Sequence, residues 1–170
     1  MNNKLHKLIL GALIAALCCI CTMAVTIPTP TGGYVHAGDA FVILGGMLLG
    51  PIYGGIAGGI GSMLSDLLLG YSFYAPATFI IKFCAAFTVG LIFKTTHRKS
   101  TSFITLIVCG ISSSLIVIVG YFLFELALTD NALSSIFSSV IGNAFQGIMS
   151  TALSIPIIKL IPAQFKQLES

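Results

Sequence analysis

The stretch "GDAFVILGGMLLGPIYGGIAGGIGSMLSDLLLG", residues 38–70, decides the fold. It is almost unbroken apolar sequence, far longer than the roughly 20 residues that one membrane crossing needs at about 1.5 Å rise per residue. Gly50-Pro51 stands inside it, and proline suits the first turn of a new helix. The segment therefore reads either as one kinked helix or as two helices folded back on each other. That choice sets whether the chain crosses a membrane an odd or an even number of times.

The surrounding composition places the chain in lipid. Of its 170 residues, 56% are hydrophobic and 8% charged, where soluble domains carry about a quarter charged; the mean hydropathy is +1.05. This is an integral membrane protein of one domain, residues 1–170, with no room for a soluble catalytic domain. The net charge of +3 comes from dispersed basic residues, which argues against nucleic acid as a partner.

Four further hydrophobic blocks flank the deciding one, at about 6–27, 75–94, 102–126 and 133–161. The first follows Lys4 and Lys7 and is longer than the ~7–15 apolar residues of a signal peptide. No small-x-small cleavage pattern closes it, and none of Cys18, Cys19 and Cys21 follows a small residue, so it reads as a retained helix. Cys18 and Cys21 form a C-x-x-C pair, but neither a histidine nor a second pair accompanies it as zinc requires. All five cysteines read as small apolar membrane residues, and neither a metal nor a cofactor is expected.

Charge resolves the count. Lys4 and Lys7 precede the first helix, Lys94, Arg98 and Lys99 bound the loop after block 75–94, and Lys159 and Lys166 close the last helix. The positive-inside rule places all of these in the cytoplasm. With 38–70 as a single span, the Lys94–Lys99 loop falls outside. With two spans, 38–50 and 51–70, every basic residue except Lys82 faces inward. The expected fold is thus all-α, a compact bundle of six transmembrane helices with both termini cytoplasmic. The external loops are then 27–38, 70–76 and 126–133, and the first, rich in proline and glycine, reads as a structured turn or lid.

Twelve of the 18 glycines lie between residues 32 and 70, with Gly46, Gly50, Gly54 and Gly58 spaced by four. Small residues on one helical face let backbones approach, which is how helices associate in lipid. The first helix carries Ala12-x-x-x-Ala16 near its cytoplasmic end, a ridge suited either to internal packing or to docking a partner.

Ionisable groups inside spans are costly and face a cavity or each other. Asp66 lies four residues before Gly70, and Lys82 six after Pro76. Both sit below the same short external loop, so they can pair with each other or face a ligand. Asp39 opens the second helix just after His36, where it can act as an N-cap, and Glu125 ends the fifth. The last helix adds Ser135, Ser139, Asn143, Gln146, Ser150 and Ser154 at spacings of three and four. These form one stripe in which Asn143 and Gln146 offer amide groups suited to the edge of a heterocycle. Tyr34, Tyr71, Phe73 and Tyr74 supply rings that either cover a flat ligand or anchor the interface. The polar set gathers on the outer half of the bundle and points to a small, polar, ring-containing ligand entering from outside. Tyr34, His36, Asp39, Asp66, Tyr74, Lys82, Asn143 and Gln146 are the candidate binding residues. No G-x-x-x-x-G-K-[ST], G-x-S-x-G or H-E-x-x-H occurs, so any energy for uptake must come from partners or an ion gradient.

The run "GGYVHAGDAFVILGGMLLGPIYGGIAGGIGSMLSDLLLGYSFYAPATFIIKF" resembles the core of the S components of energy-coupling factor (ECF) transporters, in the riboflavin-type group. Gly38-Asp39, Gly50-Pro51, "SDLLLGY" and "YAPATFIIK" carry the likeness; the later helices match in length and polarity. The resemblance implies a multi-pass subunit of the bacterial cytoplasmic membrane that captures a vitamin or vitamin precursor near the outer face. It implies gating by the loop after the first helix, and partnership with a membrane scaffold (T) subunit and two cytoplasmic ATPases. It also implies scaffold docking through Ala12 and Ala16, with the subunit toppling to carry ligand inward. Related sequences are associated with riboflavin, pyridoxine-like compounds, hydroxymethylpyrimidine and cobalamin, and the polar groups incline the reading toward a single-ring pyrimidine or pyridine. A self-sufficient transporter using Asp66 or Glu125 as a proton relay, and a structural or channel-forming membrane protein, are the competing classes.

Overall fold

The computed structural model describes residues 3–28, 34–96, 102–128 and 133–161. Arg98, Lys99 and Lys166, on which part of the charge argument rests, lie outside them. The described residues form five α-helices, α1 (Asn3–Ala24), α2 (Asp39–Leu69), α3 (Ala75–Thr95), α4 (Phe103–Leu128) and α5 (Leu133–Leu160). All five are long and apolar enough to cross a membrane. Between α1 and α2 lies a two-stranded antiparallel ribbon, β1 (Thr26–Pro28) and β2 (Tyr34–His36), in the register Thr26↔His36, Ile27↔Val35, Pro28↔Tyr34.

The long second helix is broken. Gly50 has φ 76° and ψ −173°, a conformation open essentially to glycine alone, and Pro51 follows as the first residue of the next turn. The two arms, 39–49 and 51–69, then lie against each other. A Cβ placed on Gly54 would fall 2.5 Å from the Gly45 carbonyl oxygen, and one on Gly58 would fall 3.3 Å from the Val42 side chain. In a straight helix residues 42 and 58 would be about 24 Å apart. The deciding stretch is therefore a helical hairpin, with glycines at the seam because the backbones meet there.

Neighbouring contacts fix the remaining directions. Gly11 faces Leu49 and Gly38 faces Thr22, so α1 runs antiparallel to the first arm. Gly46 faces Ala86 and Val89 while Gly90 abuts Gly50 and Pro51, so α3 runs parallel to the first arm. Gly55 and Gly59 meet Phe83 and Phe79 in reverse order, so α3 is antiparallel to the second. Gly110 against Thr151 and Gly147 against Ser114 make α4 and α5 antiparallel. One end of the bundle thus carries the β-ribbon and the 70–74 turn; the other carries the Gly50 bend.

Two helix ends differ from expectation. The first helix stops at Ala24 rather than residue 27. There Thr26 Oγ1 donates to the carbonyls of Thr22 and Met23 at 2.9 and 3.3 Å and the chain turns into β1, which adds a small strand pair to an otherwise helical molecule. Asp39 is the first residue of α2, behind Gly38, and its side chain makes no capping bond. The core fills the space around the hairpin, with Ile43, Leu44, Met47, Leu49, Val89, Leu106 and Ile158 in its largest cluster, while large apolar side chains such as Ile104, Ile141 and Ile148 face outward, as lipid contact requires.

Candidate substrate-binding site

The polar side chains gather under the β-ribbon. Deepest is an ion pair. Lys82 Nζ, fully buried, donates to Asp39 Oδ1 and Oδ2 at 2.6 and 2.8 Å and lies 5.3 Å from the Tyr121 ring centroid. Desolvating two such ions costs several kcal/mol each, and only close, fully hydrogen-bonded geometry offsets it. Gln146 helps: its Nε2 donates to Asp39 Oδ2 at 2.7 Å, and its Oε1 accepts the His36 backbone N–H at 2.9 Å. One side-chain amide of α5 thereby joins the ribbon to the ion pair.

This pairing rules out the Asp66–Lys82 bridge, one of the two readings that the sequence left open. The register of Gly55 with Phe83 and Gly59 with Phe79, continued outward, puts Asp66 opposite the 70–74 turn, about 15 Å along the helix from residue 82. The first arm, parallel to α3, instead brings Asp39 beside Lys82. Asp66 takes a different donor, the Tyr34 hydroxyl at 2.5 Å from its Oδ1.

His36 Nδ1 accepts the Gly38 backbone N–H at 3.1 Å and lies 3.2 Å from Thr22 Oγ1. A backbone N–H only donates, so Nδ1 is unprotonated and the neutral ring carries its proton on Nε2, 4.0 Å from Asp39 Oδ1. Burial pulls this imidazole down to about 4, against an opposing pull from Asp39.

Above the ion pair opens a cavity of about 420 Å³ including its mouth. Its walls are Tyr34 and His36 from β2, Asp66 from the second arm, Tyr71 and Tyr74 from the turn, Thr78 from α3, Tyr121 and Glu125 from α4, and Ser139, Asn143 and Gln146 from α5. Tyr34 packs on Tyr71 with centroids 4.7 Å apart, and Tyr74 packs on Phe124 at 5.2 Å. Thr78 Oγ1 and Tyr121 Oη are 2.8 Å apart. Ser139 Oγ donates to Glu125 Oε1 at 3.0 Å, and Asn143 Nδ2 to Ser139 Oγ at 3.4 Å.

Of the candidate residues, Tyr34, His36, Asp66, Tyr74, Asn143 and Gln146 line this cavity together, whereas Asp39 and Lys82 form the layer beneath it. The α5 stripe faces inward at Ser139, Asn143, Gln146, Ser150 and Ser154; the Ser135 side chain lies outside the described residues. Thr78 and Tyr121 were not among the candidates. Their signal was spacing: Tyr74, Thr78 and Lys82 recur every four residues, as do Tyr121 and Glu125, so each pair shares a helical face. Ala12 and Ala16 lie away from the cavity. They are exposed on α1 and line a groove with Tyr53, Ile56 and Ile60 of the second arm.

Such a cavity, with aromatic walls, convergent hydrogen-bonding groups and an apolar exterior, fits capture of a small polar ring. The chain is 34% identical over 103 residues to an uncharacterized protein of Pyrococcus woesei, a match spanning 60% of this chain and 66% of that protein. The family model of the ECF-type riboflavin transporter S component matches residues 2–163. The chain therefore belongs to the S components of ECF-type transporters, the substrate-binding subunits of a class of membrane transporter.

Proposed function

We propose that this protein captures a water-soluble, ring-containing vitamin or vitamin precursor at the outer face of the cell membrane and delivers it inward with partner subunits. The observation that carries this is the polar cavity beneath the β-ribbon, built into a chain whose exterior is apolar. Ligand enters from the ribbon side, and Tyr34, His36, Asp66, Tyr74, Asn143 and Gln146 contact it, while Asp39 and Lys82 hold the floor on which those groups stand. The helical hairpin at Gly50 and the alternating helix directions support six membrane passages with both termini in the cytoplasm, since Lys7, Lys94 and Lys159 then share the inner side.

A membrane scaffold (T) subunit and two cytoplasmic ATPases supply the energy, and ATP hydrolysis is left to them. The scaffold docks on α1, the least buried of the five long helices, where exposed Ala12 and Ala16 let a partner backbone approach. Riboflavin, named by the family, is the first compound to test. Mass spectrometry of the denatured, detergent-purified protein is expected to release one bound vitamin, and uptake in cells should require the scaffold and ATPases. Uptake into vesicles lacking any ATPase and driven by a proton gradient would overturn the reading.

A further inference from the structure

The outer face of the α4–α5 pair carries a groove separate from the polar cavity. The two helices meet at small residues: Gly110 lies against Thr151 and Gly147 against Ser114, with no room for a further side chain at either. Such close backbones leave a furrow outside the seam, floored by Ala144, Gly147 and Thr151 and walled by Ile111, Leu115 and Ile148. The three wall residues are exposed. Two hydroxyls in the groove are already spent, Ser114 Oγ on the Gly110 carbonyl at 2.8 Å and Thr151 Oγ1 on the Gly147 carbonyl at 2.7 Å. What remains is an apolar channel that offers a polar ligand nothing.

Length and charge decide what fills it. The groove runs from Phe103 to Ile118 on α4 and from Ile155 back to Ala144 on α5, about 22 and 16 Å at about 1.5 Å per residue. That covers the roughly 15 Å of hydrocarbon in one leaflet and then stops, while α4 continues to Leu128. A partner helix or a second copy would follow the helix pair across the whole membrane, whereas an acyl chain ends near the midplane. At the Phe103 end, the exposed Lys159 sets its Nζ 5.3 Å from the Phe103 ring centroid. Among the described residues the acidic side chains, Asp39, Asp66 and Glu125, all gather under the ribbon, and none lies at this end. A lysine at the hydrocarbon border reaches toward the headgroups, and a basic group between membrane helices selects anionic lipid there.

We infer that this groove binds an anionic phospholipid, with one acyl chain along the α4–α5 seam and the phosphate paired with Lys159. With the termini cytoplasmic, as proposed above, the lipid comes from the inner leaflet. The site itself is independent of what the cavity captures.

Native mass spectrometry tests this on the full chain, released from detergent with equimolar phosphatidylglycerol and phosphatidylcholine of matched chains. Phosphatidylglycerol is expected to be retained about fivefold more, the preference that one lysine near the surface contributes. Lys159→Gln should abolish that preference. Lys94→Gln removes an exposed lysine at the same end but outside the groove, and should leave it unchanged. Ala152→Phe puts a ring into the groove from an exposed position, and should displace both lipids at an unaltered melting temperature. The preference of the unaltered protein requires no variant to fold. Equal retention of the two lipids, a preference that survives Lys159→Gln, or one that Lys94→Gln removes as well would overturn the assignment. A dimer that Ala152→Phe dissolves would also overturn it, giving the groove to a second copy.

Discussion

Lys82 shows most clearly what one residue can impose on this molecule. A lysine with no exposed surface is accommodated because Asp39, itself held by Gln146, accepts hydrogen bonds from its Nζ. Lys82→Met is expected to lower stability by about 3–5 kcal/mol, because it leaves a buried carboxylate unpaired. The double change Asp39→Asn with Lys82→Met should recover most of that loss, as thermal unfolding in detergent would read out. His36 adds a pH dependence with a definite sign. Its folded value, about 4, lies below the ordinary 6.5, so its contribution is complete above pH 6.5 and is lost as the pH falls toward 4. Ligand affinity and melting temperature should therefore be flat from pH 8 to 6.5 and decline below. His36→Gln, which keeps an acceptor for Gly38, should reduce the decline between pH 6.5 and 5. At this scale the sequence told that the ionisable residues converge, because depth along a helix follows from counting. It did not tell that Lys82 takes Asp39 rather than Asp66. That choice follows from which arm of α2 runs parallel to α3, a fact about register between segments that no single segment contains.

Among the elements, the hairpin of α2 governs the site, since its first arm supplies Asp39 and its second Asp66. Gly50→Ala forces a side chain onto φ 76° and is expected to cost about 1–3 kcal/mol. Gly54→Val should cost more: its Cβ would start 2.5 Å from a carbonyl oxygen of the facing arm, so the arms must part. Both variants should lose ligand affinity together with melting temperature, and affinity preserved at a strongly reduced melting temperature would separate the hairpin from the site. The helices were legible almost to their ends, because unbroken apolar runs in lipid leave a helix as the only way to satisfy the backbone. The β-ribbon was not. Strands of three residues in a proline- and glycine-rich loop are too short to show alternation, and β2 is held from outside, by the Gln146 side chain.

On the scale of the whole molecule, the polar cavity lies under the ribbon, whereas Ala12 and Ala16, the ridge proposed for docking, lie exposed midway along α1. Ala12→Leu or Ala16→Leu should weaken co-purification of scaffold and ATPases by an order of magnitude or more while leaving vitamin affinity in the isolated subunit unchanged. Equal loss of both would refute a docking role for the ridge. The amide bridge of Gln146 bears on how the protein is made. Asp39 and Lys82 enter the membrane early in synthesis, when the chain that will close their network is still on the ribosome. Gln146, 107 residues after Asp39, arrives with the last helix and ties the ribbon to the buried charges in one step. Assembly is therefore completed from the C-terminal side, and a nascent chain stalled before α5 would present an unsealed polar cleft to the insertion machinery and to the proteases that police it.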